Sequence, residues 1–287
     1  MRVPDEVRQC VLYLGLPAHT PDGTERMRPI GTAFFVNVPS EALQDWSYTY
    51  VVTAKHVAEA LQGQLFLIRL NTKGGGSIFL RCLPDIRWWS HPRDDSVDVA
   101  LFPWAPPPTI EHKRVPLSMF LTDEIIRSKS IGAGDEVFIT GLFIHLAGSQ
   151  RNLPIVRMGS IAMMPNEPVP ARDGPTDAYL IEARSIGGLS GSPAFVRETA
   201  PFGTGAFYLL GLMHGHWDIP VEEMGDFAFA DQTDERARVN MGIAIVVPAK
   251  KILEVLNHPD LVEGRARSDE QRRKELQPRL DETSEAG

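Results

Sequence analysis

One serine of the chain lies between glycines, in the segment GLSGSP (188–193). Glycine permits a tight turn, and such a turn points backbone N–H groups at a single reacting oxygen. A serine hydroxyl is a weak nucleophile at neutral pH, so it requires a general base and a group that orients this base. Ser190 is therefore a candidate nucleophile, and its two partners are expected elsewhere in the chain.

The segments VVTAKHV (51–57) and SVDVALF (96–102) supply candidates for both partners. His56 comes where a buried β run ends and a short helix begins, which is a rigid platform for a general base. Asp98 is set into an apolar strand, where a carboxylate is costly unless it has a partner such as an imidazole N–H. We expect that partner to be His56.

Other residues nearby carry the same functional groups. Asp94 and Asp95 are alternative orienting groups, but their segment RDDS is typical of an exposed turn. Ser185 and Ser192 are alternative nucleophiles, yet neither has the glycine-flanked position of Ser190. The alternatives are therefore expected to be structural.

The elements that must position these residues are predicted to be β-strands. Short runs rich in β-branched and aromatic residues recur, with turn signals between them, in two sets of six. The runs are 7–15, 30–38, 48–54, 64–70, 75–83 and 97–102, followed by 135–143, 154–164, 177–185, 191–196, 207–215 and 239–248. This pattern predicts an all-β protein built as two barrels.

The proline-rich stretch 103–120 is the predicted connection between the barrels, because successive prolines neither continue a helix nor serve a central strand. Helices are predicted at 56–61, directly after a strand, and at 249–258, which has an amphipathic face.

From residue 264 onward the chain is highly charged and poor in large apolar residues. It is either a solvated helix or a disordered tail.

The segments TAKHV, DVALF and GLSGSP resemble the histidine, aspartate and serine motifs of chymotrypsin-like peptidases, and they occur in the same order. The resemblance spans 7–256 and is greatest to bacterial trypsin-like and HtrA-like peptidase domains. It implies two six-stranded antiparallel β-barrels with a C-terminal helix. The implied boundaries are a peptidase domain at 1–260, with barrels at about 7–105 and 120–248 and a closing helix at 249–258, and a charged flexible tail at 261–287.

The resemblance also implies roles for single residues. His56, Asp98 and Ser190 would form the catalytic triad, and the amides of Gly188 and Ser190 would form the oxyanion hole. No metal and no organic cofactor is implied.

Arg184 and His214 fall where the primary substrate pocket of this family often lies, which suggests a basic pocket for an acidic or amide side chain. Alternatively, Arg184 points outward from its strand.

Two departures from the family concern residues beside the triad. Leu189 replaces the aspartate that secreted digestive members use after zymogen cleavage, so that activation route is not expected. Val57 replaces the cysteine that usually follows the histidine. No PDZ domain is expected after the last predicted helix, since only about thirty residues follow it.

The 287 residues, 43% hydrophobic and 23% charged, have the balance of a globular protein. A net charge of -8 without a basic stripe in the body argues against nucleic acid as a partner. No signal peptide or membrane span is evident, and two cysteines form no disulfide framework, so we expect a cytoplasmic protein.

Three functions fit these observations. The first is a serine endopeptidase that acts on protein or peptide substrates and is restrained by a regulatory protein partner or a selective cleft. The second is a latent or non-catalytic binding module that keeps the protease fold. The third is the hydrolysis of small esters or amides in a closed cleft.

Overall fold

The structure, a computed structural model, describes residues 3–170, 174–184, 187–199, 205–220 and 238–276. The described part is mostly β, with four short α-helices and one of 18 residues. The strands are β1 Val11–His19, β2 Glu25–Pro39, β3 Ser47–Thr53, β4 Phe66–Asn71, β5 Ser77–Cys82, β6 Trp89–Ser90, β7 Ala100–Pro103, β8 Val115–Pro116, β9 Glu136–Gly141, β10 Ile155–Met163, β11 Tyr179–Glu182, β12 Pro193–Arg197, β13 Phe207–Pro220 and β14 Arg238–Pro248. The helices are α1 Asp5–Gln9, α2 Lys55–Glu59, α3 Asp123–Lys129, α4 Ala249–Leu256 and α5 Pro259–Leu276.

The first half of the chain forms one eight-stranded sheet in the order β5-β4-β1-β2-β3-β7-β6, with β8 paired to β2 in parallel. The centre of the sheet is apolar because β2 and β3 carry consecutive buried residues, among them Phe34 paired with Val52. β7 pairs with β3, which brings the segment before β7 beside the end of β3.

The predicted first barrel is not confirmed, because this sheet is open. Its end strands, β5 and β6, are not hydrogen-bonded to each other. β6 contains two paired residues, Trp89 and Ser90, so it offers little backbone for a closing ladder. The all-β class is confirmed, and closure is confirmed for the second half alone.

The second half is a closed six-stranded barrel in the order β10-β11-β14-β13-β12-β9. Its interior is filled by alternate side chains of these strands, including Ile139, Ile181 and Val246, all of them at most 1% exposed. The predicted connection between the halves contains β8 and a single 3-10 turn at Leu117–Met119.

A separate apolar cluster joins the two halves. It contains the central residues of the open sheet together with Phe138, Phe195 and Leu212 of the barrel strands. α4 adds Ile252, which lies in the same cluster. The barrel and α4 therefore cover one face of the open sheet, and the seam between the halves is where the candidate site lies.

α5 begins after α4 and packs on the open sheet, within the charged segment for which the sequence left a solvated helix or a disordered tail open. Its Asp269 is buried and accepts hydrogen bonds from Ser40 and Tyr48 at the end of β2 and the start of β3. Arg265 donates to the hydroxyl of Tyr50 in the same sheet. In the described part of the chain, no helix has both the length and the apolar character needed to cross a bilayer.

Candidate active site

His56 is the second residue of α2, which begins immediately after β3. The first N–H groups of a helix have no intrahelical partner, and no side chain of α2's own N-cap residue supplies one. Asp98 supplies the missing acceptor, because its Oδ1 accepts the backbone N–H of His56 at 2.9 Å. Its Oδ2 lies 2.9 Å from Nδ1 of the same histidine. One carboxylate thus fixes both the helix start and the ring, and the predicted contact between Asp98 and His56 is present.

Asp98 is 4% exposed and lies between the buried residues Val97 and Val99, just before β7. Burial works to raise the pKa of this carboxyl, but hydrogen bonds from His214 and His56 outweigh it. These bonds hold the pKa of Asp98 far below its usual range. The group is therefore a carboxylate at neutral pH, able to accept from an imidazole N–H.

His214, on β13, is a second imidazole on the same carboxylate; the sequence suggested this residue for a substrate pocket and did not indicate its contact with Asp98. Its Nδ1 lies 2.5 Å from Oδ2 of Asp98, and its ring meets that of His56 edge to face, with centroids 5.7 Å apart. The one sequence signal was a histidine inside an otherwise apolar strand. The second half of the chain thus contacts the orienting carboxylate directly.

The turn that carries Ser190 depends on two glycines with positive φ. Gly188 has φ +96°, and a Cβ there would lie 2.6 Å from a side-chain carbon of Ile144. Gly191 has φ +80°, and a Cβ there would lie 2.2 Å from the carbonyl oxygen of Thr32. Both positions exclude other residues by backbone conformation and by space. The turn is therefore pressed against the open sheet.

Thr32 of β2 holds this turn in place, and sequence reasoning missed it also. It is fully buried; its hydroxyl donates to the carbonyl of Gly188 and accepts the N–H of Leu142, each at 2.8 Å. Its own N–H donates to the carbonyl of Ser190 at 3.0 Å. A polar residue in the apolar run GTAFFV (31–36) was the available signal. Thr32 thus links the turn that carries Ser190 to the sheet after which His56 follows.

The hydroxyl of Ser190 donates to the backbone carbonyl of His214 at 3.3 Å. It does not bond to the ring of His56 in this structure. Within the described residues, the amides of Gly188 and Ser190 donate to no protein acceptor. Neither N–H group is therefore engaged by another described residue, and their role as an oxyanion hole stays a prediction.

The alternative residues lie away from this cluster. Asp94 accepts from the backbone and hydroxyl of Ser96, while Asp95 is fully exposed and pairs with a lysine. Ser192 is fully buried, out of reach of a substrate. Ser185 lies outside the described residues.

Arg184 follows β11 and is exposed. The ring of His214 is engaged with Asp98, as described above. Neither observation tests whether these two side chains line a substrate pocket, so the basic pocket stays a prediction.

The chain matches no protein-family model and no curated protein. Among solved structures it is similar to the MamO protease domain from Magnetospirillum magneticum, in its apo form. The identity is 16%, 86% of this chain and 96% of that chain are covered, and the TM-score is 0.51. It is also similar to Deg5, at 13% identity, with 87% and 88% of the two chains covered and a TM-score of 0.48. At such identity the first likeness shows the fold alone, and we conclude that the chain has the fold of a trypsin-like protease domain.

Proposed function

We propose that the chain is a serine endopeptidase with His56, Asp98 and Ser190 as its catalytic triad. The observation that carries the proposal is the pair of hydrogen bonds that one buried carboxylate accepts from the backbone and the ring of His56. It presents Nε2 of the ring as a proton acceptor, because the carboxylate engages Nδ1. The protease-type fold supports the same reading.

In the proposed reaction Ser190 attacks the carbonyl carbon of a peptide bond, and its proton passes to Nε2 of His56. Asp98 stabilises the imidazolium that forms, and the amides of Gly188 and Ser190 stabilise the oxyanion. His56 then gives the proton to the leaving amine. Water next attacks the acyl group while His56 takes its proton, and His56 returns this proton to the oxygen of Ser190 as the acid leaves. For the first step the hydroxyl of Ser190 must rotate away from the carbonyl of His214 and towards Nε2 of His56. Hydrogen bonds between a nucleophile and its base commonly form or shorten only when substrate binds.

A second candidate function is a latent or non-catalytic module that keeps the protease fold. The observation that favours it is the bond from Ser190 to the carbonyl of His214, since a hydroxyl held there is not activated by a base. In this case a partner protein would have to release the hydroxyl. Both candidates take a protein or peptide as ligand, in the seam between the halves.

A cytoplasmic location is part of the proposal. It is supported by the two cysteines, Cys10 and Cys82, which are buried and free. Burial raises the pKa of Cys10 to about 12 and that of Cys82 to about 11, which keeps both thiols protonated at neutral pH.

The test is labelling of the purified protein with a fluorophosphonate probe, which reacts with an activated serine. We expect labelling of the wild type and none of Ser190→Ala or His56→Ala. Ser192→Ala is the matched control and should label normally, since its hydroxyl is fully buried. No labelling of folded wild type would favour the latent module, and labelling of Ser190→Ala would refute the triad.

A further inference from the structure

Beside the proposed triad lies one further side chain, His214, which forms a cluster with His56 and Asp98 and which a triad does not require. One ring nitrogen of His56, one oxygen of Asp98 and one ring nitrogen of His214 all lie within 4.8 Å of one another. Both nitrogens face the same oxygen, Oδ2, at 2.9 Å and 2.5 Å. Across the described residues, it is the one group of three or more such ligand atoms that converge.

We propose that His56, Asp98 and His214 bind one divalent transition-metal ion such as Zn²⁺, and that the bound ion switches the site off. Two imidazole nitrogens and one carboxylate oxygen are a common set of three protein ligands for Zn²⁺, with water in the fourth position. Mg²⁺ and Ca²⁺ prefer oxygen ligands and fit less well. The inhibitory part rests on the proposed peptidase function, whereas the binding part does not.

The surroundings of the cluster favour a metal site. Oδ1 of Asp98 is held by the backbone N–H of His56, which fixes the carboxylate while Oδ2 stays directed at the two rings. The ligands come from the start of a helix, the second residue before a short strand and the middle of a long strand, which are positions set by regular elements. The side chains of His56 and His214 are 34% and 17% exposed, so an ion has access from the seam.

The chemistry of imidazole explains why such an ion inhibits. A neutral ring has one proton, and donation to Asp98 requires that proton on Nδ1, which leaves Nε2 free to accept. A metal bound at Nδ1 takes the lone pair of that nitrogen, so the proton moves to Nε2. His56 then has no lone pair for the proton of Ser190. The ion therefore blocks the base without touching the nucleophile.

The first measurement is equilibrium dialysis of the full chain against Zn²⁺. We expect one ion to bind to the wild type and equally to Ser190→Ala, which keeps all three ligands. His214→Gln retains a donor to Asp98 but removes the imidazole ligand. Loss of residues that only support ligands costs about 10–100-fold in metal affinity, so this variant should lose at least tenfold. His145→Gln, which removes an exposed imidazole from another loop, should bind like the wild type.

Equal Zn²⁺ affinity of His214→Gln and wild type would overturn the proposal, as would the absence of binding to wild type. If circular dichroism shows that His214→Gln is unfolded, His56→Gln replaces it, since it removes a ligand from a different element. The visible absorption of bound Co²⁺ gives a second readout, because tetrahedral coordination produces an intense band that a loosely bound ion lacks.

The inhibitory part is tested by adding Zn²⁺ before the fluorophosphonate probe. We expect slower labelling of the wild type and of His145→Gln. Equally fast labelling with and without Zn²⁺ would refute the inhibitory part of the proposal and leave the metal-binding part standing. A protein that binds Zn²⁺ through His214 but never labels supports the metal site and refutes the peptidase.

Discussion

The two halves of the molecule solve the same problem, burying one face of a β-sheet, in different ways. The barrel closes on itself and fills its interior with its own side chains. The open sheet has two unpaired ends and is covered by residues from outside it, including Phe138 and Phe195 of the barrel and Ile252 of α4. The open sheet should therefore depend on the barrel more than the barrel depends on it.

The strongest way to break this arrangement is at Asp98, the carboxylate on which both halves converge. We expect Asp98→Asn to slow fluorophosphonate labelling by about 10³–10⁴-fold, because the base then loses its tautomer and orientation. Asp94→Asn, four residues earlier in an exposed turn, should label at the wild-type rate. A tenfold effect or less for Asp98→Asn would show that the carboxylate does not orient the base.

The next test concerns the apolar cluster between the halves. Phe195→Ala should reduce the free energy of unfolding by about 3–5 kcal/mol, measured in urea, because it leaves a cavity in that cluster. Hydrogen exchange should rise most in the open sheet. Ile181→Val, a much smaller deletion inside the barrel, should cost about 0.5–1.5 kcal/mol. Exchange that rises mainly in the barrel after Phe195→Ala would reverse the proposed dependence.

The two halves also differ in the hydrogen bonding of one buried threonine hydroxyl each. Thr32→Val leaves the carbonyl of Gly188 and the N–H of Leu142 without their partner, so we expect a loss of about 1–3 kcal/mol and slower labelling. Thr140 of the barrel is equally buried, but its hydroxyl has no partner in the described part of the structure. Thr140→Val should therefore leave stability unchanged or raise it. Equal losses in the two variants would contradict this account of Thr32.

The smallest effect concerns pH, because both buried thiols lie in the core of the open sheet. Their pKa values are raised from 9.0 to about 12 and about 11, so each thiol ionises first in the unfolded chain. Stability is therefore complete below about pH 9 and falls as pH rises towards the folded values, by about 1 kcal/mol per thiol at pH 10. Urea titrations of wild type and of a Cys10→Ala, Cys82→Ala double variant should diverge above pH 9. Parallel curves would mean that the thiols are not protected.

The sequence predicted most of what is local. Strand positions, the helix after β3 and the pairing of Asp98 with His56 follow from alternation, turn residues and the cost of a buried carboxylate. The catalytic role of these residues stays a prediction. Closure of the first sheet was not predictable, since it depends on whether the short β6 can reach a distant strand. The contact of His214 with Asp98 was missed, because the two residues lie 116 positions apart and no pattern within one strand indicates such a contact.

The packing of α4 and α5 on the open sheet also has a consequence for how the chain is made. A ribosome releases the strands of the sheet before these helices, because the helices lie at 249–276. Side chains of α4 complete the apolar core of that sheet, and Asp269 of α5 accepts hydrogen bonds at the end of β2 and the start of β3. Domains commonly fold as they emerge, N-terminal part first. Here the sheet lacks part of its cover until α4 and α5 have been synthesised, so the nascent chain exposes apolar residues of that sheet up to this point.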